Sequence, residues 1–176
     1  PSVFATSENY VAFGVMLALG AMMLVKDNRA GLMLVHVLMA SGTALVGFGT
    51  WAFSAGLLDG YWWMVLVGLG LYLAYVPYGC VLFDRLIAAV GVSATAGFMI
   101  YVTDATGYLG SVALMLYRDL GTPNMSWLGF FQAFSWVTAL VCTALYLVSM
   151  AYFWQRTRGL GGDGDRTGER PLDAAA

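Results

Sequence analysis

Charge is scarce in this sequence. Only 10% of its 176 residues are Asp, Glu, Lys or Arg, against 60% that are hydrophobic. A soluble domain carries about 25% charged residues to cover its water-facing surface. Such a surface is excluded here, and the chain reads as an integral membrane protein. Its mean hydropathy of +0.76 agrees. A net charge of −2 offers no electrostatic footing for nucleic acid. Cysteine is nearly absent. Cys80 and Cys142 make neither a disulfide framework nor a metal site, and in their apolar runs they are expected to be small, buried, free thiols. No Walker motif, nucleophile elbow or metal-ligand spacing occurs, so the chain is not expected to be an enzyme or to carry a metal or cofactor. A signal peptide's basic start, short apolar run and small-residue cleavage site are also missing. With Pro1 as its first residue, the chain is expected to be a fragment or a processed product.

Long apolar runs take the place of all these. A membrane-spanning helix needs about 20 apolar residues. Five segments qualify, at about 10–25, 32–55, 61–83, 94–117 and 127–154. The predicted fold is therefore all-α, an integral membrane bundle of five transmembrane helices within residues 1–158. A β-barrel is excluded, because its strands would alternate over short segments rather than stay apolar throughout. Ser93 and Ser126 are placed to cap the fourth and fifth helices. Gly91 and Gly121 are placed to end the helices before them in a left-handed conformation. Residues 159–176, rich in glycine and charge, are predicted to form a disordered tail.

Basic residues predict the orientation. Lys26, Arg29, Arg85, Arg156 and Arg158 fall at one side of the spans and Arg118 at the other. The positive-inside rule then puts the C-terminus in the cytoplasm, for a multi-pass protein of the inner (plasma) membrane. Trp51, Trp62, Trp63, Tyr117 and Trp127 cluster at the outer ends and Trp154 at an inner end, as interfacial aromatics do. Small residues form stripes that let helices approach closely. These are Gly14, Ala18 and Ala21; "ASGTA" at 40–44; and Thr103, Gly107 and Gly110.

The sharpest chemical signal is Asp104, near the middle of an apolar run. A charge at that depth costs about 2.5–3.5 kcal/mol on insertion scales, so it usually faces a cavity or a partner. Helical spacing places Gly97, Tyr101, Asp104, Tyr108 and Ser111 on one broad polar face. That face could line a polar path for a solute or for protons. Alternatively, Asp104 could be a structural aspartate that locks two helices. No basic residue lies inside a span to pair with it, and Arg85 sits beyond the cytoplasmic end of the third.

Pro77 is the second signal. It lacks an N–H and clashes with the carbonyl of Leu73, so the third helix is predicted to kink there. Tyr72, Tyr75 and Tyr78 surround the break, which suits either a gate or a fixed kink. Asp84 and Arg85 are expected to close that helix, with Asp84 paired to the charged loop "KDNRAG", 26–31. Asp27, Arg29, Asp84 and Arg85 would then form a cytoplasmic loop clamp. His36 is expected to be a packed, hydrogen-bonded side chain. Gln132 and Ser135 are candidates for bonds across helices.

"KDNRAG" is similar to the charged hairpin of major facilitator superfamily transporters. Asp27, Arg29 and Gly31 match its pattern, while the leading glycine and the following basic run are absent. "VPYGCVLFDRLIAA" and "GFMIYVTDATGYLGSV" resemble an uncharacterised bacterial branch of that superfamily, a domain of unknown function. The likeness covers about residues 61–156. It implies the C-terminal part of a transporter, helices eight to twelve, with the N-terminal half missing. Asp104, Tyr101, Tyr108 and Ser111 would then line or flank a central cavity, with Tyr75, Pro77 and Tyr78 in its bending helix. Its partners would be the lipid bilayer, the missing half and a small polar solute. The expected function is secondary active transport of that solute, and Asp104 could couple it to protons. The alternative is a non-transporting membrane subunit or scaffold.

Overall fold

The computed structural model of the chain describes residues 2–91, 93–121 and 125–158. Among these residues the chain is helical, with no strand. The helices are α1 (Ser2–Met22), α2 (Asn28–Ser54), α3 (Gly60–Pro77), α4 (Phe83–Val90), α5 (Ala96–Leu116) and α6 (Trp127–Arg158). A π-helical turn, Tyr78–Leu82, joins α3 to α4, and a second, Tyr117–Gly121, extends α5. Four stretches are long and apolar enough to cross a membrane: Asn28–Ser54, Gly60–Val90, Ala96–Gly121 and Trp127–Arg158. The protein is thus an all-α, multi-pass membrane bundle. α1, with 21 residues, is long enough, but it carries Glu8 and Asn9 in its first half and is not apolar enough to join them. The predicted disordered tail, 159–176, lies outside the described residues.

Local chemistry sets the helix ends. The Asp27 carboxylate accepts the Ala30 N–H at 2.6 Å and starts α2. Asp59 does the same for α3 through Trp62 N–H at 2.9 Å. Each satisfies a backbone donor that the first helical turn leaves without a partner. Ser126 accepts the Gly129 N–H at 3.1 Å, at the start of α6. Ser93 does not cap α5; Thr95 holds the cap position and makes no side-chain bond there. Gly91 ends α4 with φ of 71°, whereas Gly121 has no positive φ and α5 leaves through its π turn instead.

The third rod also runs further than expected. Pro77 is buried at the end of α3, and the π turn follows it at once. The helix then continues through Asp84 and Arg85 to Val90, so that pair lies inside the rod rather than closing it. Proline removes one backbone hydrogen bond, and a wider turn lets the ladder resume with a shifted register.

α2 is the centre of the molecule. It buries 13 residues, from Gly31 to Ala52, and packs on α3 and α6, while α1 packs on α3. Gly42 and Gly70 mark the α2–α3 crossing. A Cβ on Gly42 would meet the Gly70 carbonyl oxygen at 2.6 Å, and one on Gly70 would meet the Gly42 carbonyl oxygen at 2.5 Å. The apolar core fills in around this crossing. Met22, Leu32, Val35, Met39 and Leu82 pack toward one end. Val46, Trp63, Val67 and Ala139 pack toward the other.

Polar side chains join α2 to its neighbours. Thr43 and Thr143 share a 2.7 Å hydrogen bond between α2 and α6. His36 is buried. Its Nδ1 donates to the Leu32 carbonyl at 2.8 Å, because a carbonyl can only accept, and its Nε2 shares a 2.9 Å hydrogen bond with the Ser149 hydroxyl. Gln132 and Ser135 make no hydrogen bond across helices among the described residues; these two bridges take that role. Trp63 does not face outward as a belt residue would. It is buried, stacks on Phe53 at 4.4 Å and bonds to Thr50. A tryptophan at a helix start reads as a belt residue from sequence, but here it is drawn into the α2–α3 seam.

Candidate functional site

α5 is unlike the other helices. None of its residues is buried, and it meets the rest of the bundle mainly through α4. Between it and the α2, α3 and α6 core lies a cleft of about 450 Å³. From α5, Thr103, Asp104, Gly107, Tyr108 and Ser111 face it. Tyr75 and Tyr78 line it from the end of α3 and the π turn, with Leu71 and Ala74 behind them. α2 contributes Thr43, and α6 contributes Thr138, Cys142 and Tyr146.

The cleft thus brings together five of the residues singled out from sequence: Asp104, Tyr108, Ser111, Tyr75 and Tyr78. Tyr101 is left out. It is 76% exposed and does not line the cleft, and neither does Gly97. The lined face is centred on Gly107, with Thr103 and Ser111 one turn to either side, so the broad face read from the sequence was centred too far toward Tyr101. Asp104 itself is half-buried and has no hydrogen bond or ion pair among the described residues.

Several hydroxyls on the lining are already committed as donors. Thr103 donates to Met99 and Ile100 carbonyls, both at 2.9 Å. Ser111 donates to the Gly107 carbonyl at 2.9 Å. Thr43 is engaged on both sides, near the Met39 and Ala40 carbonyls at 3.3 and 3.1 Å and with the Thr143 hydroxyl at 2.7 Å. With their protons directed into their own helix, the Thr103 and Ser111 oxygens keep lone pairs for the cleft.

Sequence reasoning passed over the α6 wall. Thr138, Cys142 and Tyr146 recur every fourth residue and so share one helix face. The spacing was visible, but α6 is apolar around its circumference and nothing marked that face as the one turned inward. Cys142 is half-buried and Cys80 is exposed, so neither is the fully buried thiol expected; both are free.

The expected loop clamp divides into separate parts. Arg85 donates to the Val25 carbonyl at 2.9 Å, the Lys26 carbonyl at 3.2 Å and the Asn28 side-chain oxygen at 2.9 Å. These bonds tie the α1–α2 loop to α4. Asp27 caps α2, and Arg29 lies 5.1 Å from the Trp154 ring, with Arg158 at 4.9 Å. Asp84 is exposed and makes no bond to that loop among the described residues. The helix runs on past it, so its side chain points to the outside of α4 rather than into the loop.

Residues 1–156 match the model of a family of unknown function (DUF5690). No curated protein and no solved structure matches the chain.

Proposed function

We propose, from the premise that this chain belongs to that family of unknown function, that it forms one wall of a solute pathway in a secondary active transporter. The observation that carries this reading is Asp104 on the cleft beside α5. An ionisable group at membrane depth is held there at a cost, and facing a polar cleft rather than acyl chains reduces that cost. Irregular helix lining a cavity, as in the π turn after Pro77, is tolerated for the same reason. α5 shares no buried seam with the core, so the two walls of the cleft are free to shift relative to each other. The solute is small and polar, and Asp104 exchanges the coupling proton. The chain acts by binding and release, not as an enzyme.

In this reading a second set of helices completes the pathway, as in transporters built from paired repeats. The likeness of "KDNRAG" to the major facilitator hairpin supports a place among such transporters. The end that carries Lys26, Arg29, Arg85, Arg156 and Arg158 faces the cytoplasm of a bacterial inner membrane.

The test is solute-driven proton flux in proteoliposomes holding the full-length protein and a pH-sensitive dye. A panel of sugars, amino acids and amines is applied at several pH values. Flux that disappears in Asp104→Asn, with thermal stability kept, is the expected result. Flux that is the same in both proteins at every pH would reduce Asp104 to a packing role.

One observation favours a second reading, a non-transporting subunit or scaffold. The outer face of α5 exposes Tyr101, Val102, Leu109 and Val112, which another membrane subunit could cover. Absence of flux for the whole panel, together with a stoichiometric subunit retained on purification, would favour it.

A further inference from the structure

The cleft beside α5 carries charge of one sign. Among the described residues that line it, Asp104 is the only acidic side chain and none is basic. Arg85 is held by the α1–α2 loop, and Arg118 pairs with Asp119 at 2.7 Å and lies over the Trp127 ring. An anion entering the cleft would meet a carboxylate and no compensating cation.

The neutral groups lean the same way. Thr103 and Ser111 direct their protons to backbone carbonyls and keep oxygen lone pairs on the cleft lining. Four phenol rings, Tyr75, Tyr78, Tyr108 and Tyr146, line it from three directions. Aromatic faces attract cations, and most strongly those that are weakly hydrated. A divalent metal ion asks instead for about six or more oxygen ligands, several of them anionic, and one carboxylate does not supply them. A cleft of about 450 Å³ is in the size range that holds a small organic molecule.

We propose that this cleft binds a small organic cation of the alkylammonium class. Its ammonium group sits on the Asp104 carboxylate and its alkyl groups lie against the rings of Tyr75 and Tyr108. The assignment rests on the pathway reading for the cleft's role, but binding is measured separately from transport.

The experiment is calorimetric titration of the full chain in lipid nanodiscs with three probes of one shape. These are choline, its neutral isostere with a quaternary carbon in place of nitrogen, and the matching carboxylate. Choline is expected to bind at least about tenfold more tightly than the isostere, and the carboxylate not at all. Asp104→Asn should weaken choline by at least about tenfold and leave the isostere unchanged. Tyr108→Leu and Tyr75→Leu, at exposed positions that tolerate change, should each weaken choline about two- to fivefold. They keep the test decisive if Asp104→Asn fails to fold. No choline binding, equal binding of the isostere, or preference for the carboxylate would each overturn the proposal. Choline binding with no proton flux for any solute leaves the cation site standing and removes the transport reading. Asp104-dependent flux of a neutral or anionic solute, with no choline binding, does the reverse.

Discussion

Gly42 and Gly107 sit in stretches that read alike, "ASGTA" in α2 and "TDATGYLGS" in α5. The structure treats them in opposite ways. At Gly42 the backbone of α3 comes so near that an added Cβ would strike the Gly70 carbonyl oxygen and the Ala74 amide nitrogen. At Gly107 and Gly110 an added Cβ would meet nothing within 4 Å. One small-residue stripe is a packing seam, and the other leaves room beside a cleft. A stripe of small residues therefore shows where helices are able to approach, not that they do.

The strongest way to break this comparison is to fill both sites. Gly42→Ala and Gly70→Ala place a methyl against backbone, which cannot rotate out of the way, so α2 and α3 must part. A loss of about 1–3 kcal/mol is expected for each, read as a lower unfolding temperature in detergent. If both variants melt with the wild type, the crossing is looser than described.

Arg85→Ala comes next. It removes the three hydrogen bonds that hold the α1–α2 loop on α4. Partly exposed charged bonds of this kind make a loss of about 1–2 kcal/mol the expected outcome. Hydrogen exchange at residues 23–28 should rise while α5 is unaffected. Unchanged exchange in the loop would show that Arg85 does not secure it. Asp84→Asn, at the exposed neighbouring position, serves as the control.

A smaller effect is expected where α2 meets α6. A double-mutant cycle of Thr43→Val and Thr143→Val should return a coupling of about 0.6 kcal/mol, the usual worth of a hydrogen bond between membrane helices. Additive effects would mean that each threonine is satisfied by its own helix alone. The smallest effect belongs to Gly107→Ala and Gly110→Ala. Stability should stay within about 0.5 kcal/mol of wild type. Any change should tend toward stabilisation, because alanine is the better helix former. A large loss at either position would place an unseen neighbour against α5.

Much of the fold was legible because it depends on neighbours in sequence. Apolar run length located the rods, and Asp27, Ser126 and Gly91 act at helix ends through bonds and dihedrals within a turn. The errors came where a distant segment decides. Trp63 turned inward because Phe53 and Thr50 meet it from α2. Asp84 was assigned a loop partner, but Arg85 is the residue that bonds to that loop. The candidate cleft was half legible. Asp104, Tyr108 and Ser111 follow from helical spacing on a single element, whereas Tyr146, Cys142 and Thr43 join them only because α6 and α2 stand opposite.

By itself, then, the sequence determined that this protein is a set of long apolar helices for a membrane, with an aspartate part-way along one of them. Backbone hydrogen bonds must be satisfied within each span, so length and apolar content suffice for that conclusion. Tertiary structure alone decided which faces meet. Lipid solvates an apolar side chain about as well as protein does, so hydropathy cannot distinguish a face turned to the core from one turned to the bilayer. Only the packed helices separate the seam at Gly42 and Gly70 from the open flank of α5.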